Sequence, residues 1–122
     1  VPESLLSLAI DPGDPNQIIA SGRRTLFRSN DGGASWRRLS GEPGFLTWPA
    51  AGSLYLVDME GAVSVAEGPG SVWRPVGELG APPAAFEAGG AEILFAALHD
   101  GAIVRSDDGG RTWEELNGPV SG

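Results

Sequence analysis

At 122 residues, with 41% hydrophobic residues, the chain is long enough for one compact domain with a real core. It contains no cysteine, which excludes disulfides and thiolate metal sites. Eight cationic residues, all arginine, stand against sixteen acidic ones for a formal net charge of −8; nucleic-acid phosphates and anionic lipid headgroups repel such a chain, so neither is an expected partner.

Nineteen glycines and ten prolines break the chain into short pieces, the pattern of many strands joined by tight turns. In chain order the apolar runs are Leu5–Ile10, Gln17–Ser21, Thr25–Ser29 and Trp36–Leu39. Then come Phe45–Pro49, Leu54–Asp58, Ala62–Val65 and Trp73–Val76. The last are Ala84–Ala88, Ile93–Leu98, Ala102–Ser106 and Trp113–Leu116. Turn signals separate them: Asp11 to Asn16 (DPGDPN), Ala51-Gly52 and Gly89-Gly90. Ala91–His99 (AEILFAALH) has helix-forming residues, but its alignment with Leu54–Asp58 predicts a strand. No apolar stretch approaches the roughly 20 residues of a membrane helix. The chain opens on Val1, as expected of a processed or excised product, which leaves any leader unread.

The runs repeat. Ser29 to Trp36 reads SNDGGASW and Ser106 to Trp113 reads SDDGGRTW, with Trp73 between, so these three of the four tryptophans are 37 and 40 residues apart. Gly61 to Trp73 aligns without a gap on Gly101 to Trp113, keeping Gly70 and Trp73 but placing Ala66, Gly68 and Val72 where the others have Ser, Asp and Thr. Each Trp is followed three residues on by Leu39, Val76 or Leu116. Three units of four strands are therefore expected, about 1–41, 42–80 and 81–122.

The Ser-x-Asp-x-Gly-x-Ser/Thr-Trp pattern resembles the Asp-box of BNR-repeat proteins, and the resemblance covers the whole chain. The first unit is also similar to repeats of sortilin-type propellers and of the photosystem II assembly factor family; sialidases and xyloglucanases are further relatives. The resemblance implies an all-β fold: a partial β-propeller of three four-stranded antiparallel blades. It also implies that the boxes are structural and lie at the periphery. Asp31 and Asp108 are expected to accept hydrogen bonds from the tight turn. Gly33 and Gly110 supply backbone angles closed to other residues. Ser29, Ser35, Ser106 and Thr112 tie the turn ends, and Trp36 and Trp113 bury a ring against the blade. Asp107 to Gly110 has the look of a calcium loop but lacks alternating oxygen ligands and a distal bidentate Glu, so no metal site is expected.

Propellers have typically 4–8 blades. Three blades fit a piece of a larger propeller or half of a six-bladed homodimer. The ligand face should carry the second-to-third turns and the blade-to-blade loops Ser40–Gly44 and Gly77–Pro83. On it lie Arg23, Arg24, Asp58, Glu60, His99 and Asp100, the candidate ligand-binding residues. Taken singly, each is an ordinary solvated turn residue.

No catalytic residue is assigned. Tyr55, the sole tyrosine, lies within a strand, and neither a nucleophile elbow nor a phosphate loop is present. The expected function is a non-catalytic module that binds a protein or glycan without a cofactor. The alternative is part or half of a glycoside hydrolase, with facing carboxylates drawn from Asp58, Glu60 and Asp100. Family resemblance alone points to an extracellular or periplasmic setting.

Overall fold

In the computed structural model the structure describes residues 4–50, 53–68 and 72–116. The Ala51-Gly52 turn, the middle-copy residues Pro69, Gly70 and Ser71, and the tail from Asn117 lie outside them. Twelve strands form three four-stranded antiparallel sheets, each a simple meander. The first sheet is β1 (Leu5–Asp11), β2 (Asp14–Gly22), β3 (Leu26–Ser29) and β4 (Arg37–Leu39). The second is β5 (Gly44–Ala50), β6 (Ser53–Asp58), β7 (Ala62–Ala66) and β8 (Arg74–Glu78). The third is β9 (Pro83–Ala88), β10 (Leu94–Leu98), β11 (Ile103–Ser106) and β12 (Glu114–Leu116). Ala91–His99 forms a turn leading into β10, without helix.

The inner strands hold the sheets together. β1 packs on β5 and β5 on β9, while β1 and β9 make no contact among the described residues. The three sheets are thus successive blades of an open propeller arc.

Two cores lie between the sheets rather than within them. The first joins Ala9, Ile19 and Leu26 of the first sheet to Leu46, Trp48, Leu54 and Leu56 of the second. The other joins Tyr55, Val57 and Val63 of the second to Phe86, Leu94, Ala96 and Val104 of the third. β6 explains the arrangement. Side chains alternate along a strand, so Leu54 and Leu56 face the first sheet while Tyr55 and Val57 face the third; all four are buried. Burying each large apolar side chain contributes about 1.5–3 kcal/mol.

Hydrogen bonds and close backbone approach complete the contacts. Gly44 N donates to Ser21 Oγ at 2.8 Å and Leu46 N to Ser7 Oγ at 2.9 Å, pinning β5 to the first sheet. Tyr55 Oη donates to the Ala91 carbonyl at 3.2 Å, linking the second sheet to the third. Trp73 precedes β8 and reaches back to the first sheet. A Cβ on Gly41 would sit 3.0 Å from Leu26 and 3.1 Å from the Trp73 ring.

Gly110 and Gly33 are equivalent in sequence and backbone, with φ of +92° and +98°, but not in surroundings. A Cβ at Gly110 would meet Val63 of the second sheet at 2.8 Å. At Gly33, with no other sheet beside it among the described residues, the nearest atom would be Trp36 at 3.7 Å. Gly33→Ala should therefore cost only the left-handed backbone penalty, about 1–2 kcal/mol. Gly110→Ala should cost about 1–3 kcal/mol more from overpacking. Denaturant unfolding of the two variants measures the difference; equal losses would contradict the inter-sheet packing.

Candidate functional site

The meander sends its turns to two opposite rims. On one, the β6–β7 and β10–β11 turns both meet the loop between the second and third sheets: Leu79 N donates to the Gly61 carbonyl at 2.8 Å, and His99 N to the Pro82 carbonyl at 3.2 Å. On the other, in the first and third sheets, the first hairpin meets the aspartate turn between third and fourth strands: Gly32 N donates to the Asn16 carbonyl at 3.1 Å, and Gly109 N to the Glu92 carbonyl at 2.9 Å.

The aspartate turns follow one hydrogen-bond plan. Ser29 Oγ donates to Asp31 Oδ1 at 2.8 Å and accepts from Gly33 N at 2.8 Å. Asp31 also accepts from Ser35 N at 2.9 Å and from the Ser35 hydroxyl. Trp36 Nε1 donates to the Gly33 carbonyl at 3.1 Å. Ser106, Asp108, Gly110, Thr112 and Trp113 repeat the set, with Thr112 replacing Ser35. The carboxylate accepts the Ser35 or Thr112 amide, and the buried serine accepts the glycine amide. Donation from the Ser35 and Thr112 hydroxyls, then from their backbone amides and from Ser29 and Ser106, lowers both aspartates from 3.8 to about 2.

The first rim carries the candidate ligand residues. A concavity of about 450 Å³ lies between the first two sheets, lined by Arg23, Glu42, Pro43, Asp58, Met59 and Glu60. Three of the six residues singled out from the sequence, Arg23, Asp58 and Glu60, come together there. Arg24 is exposed and outside the lining, and His99 and Asp100 project from the third sheet's own turn. Glu42, Pro43 and Met59 had not been singled out; they sit in the loop Ser40–Gly44 and the turn Asp58 to Gly61, so loop membership was their signal.

Asp58 and Asp100 are engaged in building their turns. Asp58 Oδ1 accepts from Glu60 N at 2.9 Å and Ala62 N at 3.0 Å. Asp100 Oδ1 accepts from Ala102 N at 3.0 Å. Each closes an Asx turn of the kind that shapes a hairpin tip. The groups left to face a ligand are Arg23, Glu42, Glu60 and the exposed thioether of Met59. Tyr55 lies between the sheets, its phenol pushed up chiefly by burial, and takes no part in the rim. Among the described residues no three His, Asp or Glu side chains group as metal ligands.

The depressed aspartates predict an acid signature. Their folded-state pKa lies below the ordinary value, so their stabilisation is complete above 3.8 and is lost as pH falls toward 2. The melting temperature of the wild type should exceed that of an Asp31→Asn/Asp108→Asn double variant at neutral pH. The gap should narrow below 3.8 and close near 2, as thermal melts across that range would show.

No family model and no curated protein matches the chain. Solved structures do. YCF48 from Cyanidioschyzon merolae superposes with a TM-score of 0.81 at 19% identity, over 95% of this chain and 38% of that one. YCF48 bound to D1 peptide gives 0.77 at 18% identity, over 93% and 40%. The GH74 enzyme of Niastella koreensis gives 0.70 at 15% identity, over 96% and 18%. The chain thus spans about two fifths of the YCF48 chains and under a fifth of the GH74 chain. At these identities the likeness is one of fold, that of a partial β-propeller.

Proposed function

We propose that this chain is a non-catalytic propeller module, built on Asp-box turns, that binds a protein segment in the concavity between its first two blades. The observation that carries the reading is the lining itself. Three carboxylates face one guanidinium, with Met59 and Pro43 as apolar contacts, in a space of about 450 Å³. An extended peptide bearing arginine or lysine beside an apolar side chain matches those groups: Glu42 and Glu60 take the cation, and Met59 adapts to the apolar neighbour. The peptide complex of the similarly folded YCF48 supports a protein ligand over a glycan.

A hydrolase reading draws on the GH74 likeness but meets a chemical obstacle. Glycoside hydrolysis needs two carboxyl groups facing one bond. Asp58 Oδ1 already accepts two amides of its own turn. Binding without turnover therefore fits the rim better.

Fluorescence anisotropy with short labelled peptides tests this. A peptide of arginine and leucine should bind, and its glutamate counterpart should not. A Glu42→Lys/Glu60→Lys variant should lose affinity roughly tenfold or more, and added salt should weaken the complex. Equal binding of both peptides, or an unchanged affinity in the charge-reversed variant, would refute the assignment. Turnover of fluorogenic glycosides abolished by Glu60→Gln would establish the hydrolase instead.

A further inference from the structure

A second concavity lies on the first sheet, beside its aspartate turn and on the rim opposite Arg23 and Glu60. It holds about 190 Å³ and is lined by Arg28, Asn30, Ser35, Trp36 and Arg37. Arg28 on β3 and Arg37 on β4 are direct cross-strand partners, and Arg28 pairs with Ile19 on its other side. Partners across a ladder share a face of the sheet, and Ile19 belongs to the core shared with the second sheet. Both arginines therefore stand on the side that packs on the second sheet, within the described blades.

Their charges are unbalanced. Like charges opposite one another on a ladder destabilise it. Neither arginine has a carboxylate within ion-pair distance among the described residues. Arg28 Nη2 donates to Gln17 Oε1 at 3.2 Å, while Arg28 Nε is buried without a hydrogen-bond partner. A buried donor of a charged group is costly to leave unpaired. Asp31 is near in sequence, but its oxygens are engaged by Ser29 and Ser35.

The third sheet holds the equivalent site with its charges paired. Register and sequence put Arg105 in the place of Arg28, Asp107 in that of Asn30 and Glu114 in that of Arg37. There the arginine faces a glutamate across the ladder, and its Nε donates to Asp107 Oδ1 at 2.7 Å. The third sheet thus supplies its own carboxylate to the guanidinium nitrogen that is orphaned in the first. In the first sheet an amide and a second guanidinium stand where the third has two carboxylates.

We propose that this cleft binds a small ligand through its carboxylate, the oxygens bridging Arg28 and Arg37 and the ligand body lying against Trp36. A carboxylate fits the guanidinium fork, and it is the group found on the equivalent nitrogen in the third sheet. A single charge suits the site better than the two of a phosphate, because the chain's net charge of −8 repels an anion in proportion to its charge. Trp36 donates its indole N–H to the Gly33 carbonyl, so it offers the ligand an apolar wall rather than a donor. Asn30 adds an amide that can donate to the same oxygens. The site is separate from the rim concavity and does not depend on what that concavity binds.

Titration of the isotopically labelled chain with benzoate, followed by the NMR signals of the Asn30 and Arg37 amides and the Trp36 indole N–H, tests the site. Benzoate at millimolar concentration should shift these signals along a saturable curve. Benzamide, the same ring without the charge, should bind roughly tenfold more weakly or worse, and inorganic phosphate should also bind more weakly than benzoate. Asn30→Asp and Arg37→Glu bring in residues that the third sheet already accommodates, so the fold should be kept while benzoate affinity falls roughly tenfold or more. Asn30→Asp should not lower the melting temperature, since Arg28 then gains the partner that Arg105 has. Absence of a saturable shift with benzoate would overturn the proposal. So would equal affinity for benzamide or phosphate, a comparison that needs no variant, or an unchanged affinity in both variants.

Discussion

The structure depends on burying both faces of a four-stranded sheet. A sheet with one apolar face can rest against a single partner. β6 has no solvent face: Leu54 and Leu56 need a neighbour on one side, Tyr55 and Val57 on the other. Such a strand is stable only within a stack, and the small and positive-φ residues serve the stack. Gly77 shows how tight it is, since a Cβ there would lie 2.1 Å from the Gly110 carbonyl oxygen. No side chain fits between β8 and the turn that carries Gly110, and glycine lets the backbones touch.

The aspartate turns fasten the edges of this stack, and comparison of the three copies shows what they require. Ser29 and Ser106 are 1% exposed and must have hydrogen-bond partners, which Asp31 and Asp108 provide. In the second sheet the buried position is Ala66, at 0% exposure, and the aspartate position is Gly68. Removing one partner of a buried hydrogen bond is costly, whereas replacing both can be nearly neutral. The middle copy lost the pair together and left no orphaned hydroxyl. Trp73 still reaches the first sheet. The packing contact thus outlasts the polar turn that accompanies it in the other copies.

The strand order was legible because tryptophan spacing and glycine punctuation set the repeat before any single element had to be judged. Ala91–His99 was the hardest segment to read. In β10, Leu94, Ala96 and Leu98 are buried, while Phe95 and Ala97 between them are also apolar. Apolar residues on both sides of a strand erase its period of two, so only alignment with β6 separates it from a helix. The hairpin at Asp11 is tighter than its DPGDPN sequence implies. Asp11 pairs directly with Asp14, and both carboxylates accept amides of the turn. Trp36 and Trp113 precede their strands, and each donates its indole N–H to the glycine carbonyl of its turn. At the rim, the sequence placed Asp58 and Asp100 at hairpin tips but could not show how their carboxylates are used. An Asx turn and a ligand site favour the same residue in the same place, and only the amide distances tell them apart.

That distinction bears on where recognition can reside. A rim carboxylate that accepts amides of its own turn is oriented by the turn and has less capacity for a ligand. Asp58 and Asp100 thus act as the fixed part of the rim, holding their hairpins in shape. Glu42 and Glu60 come from different segments, a blade-to-blade loop and a hairpin tip, and they meet only because the first two sheets pack. The lining of the concavity is therefore a consequence of the inter-sheet core. Any change that shifts the second sheet against the first, at Ser21, Leu46 or Trp73, moves Glu60 relative to Arg23 without touching either. Sequence variation in the cores of such a repeat can retune the rim, which offers one physical route by which propellers of common architecture come to recognise different ligands.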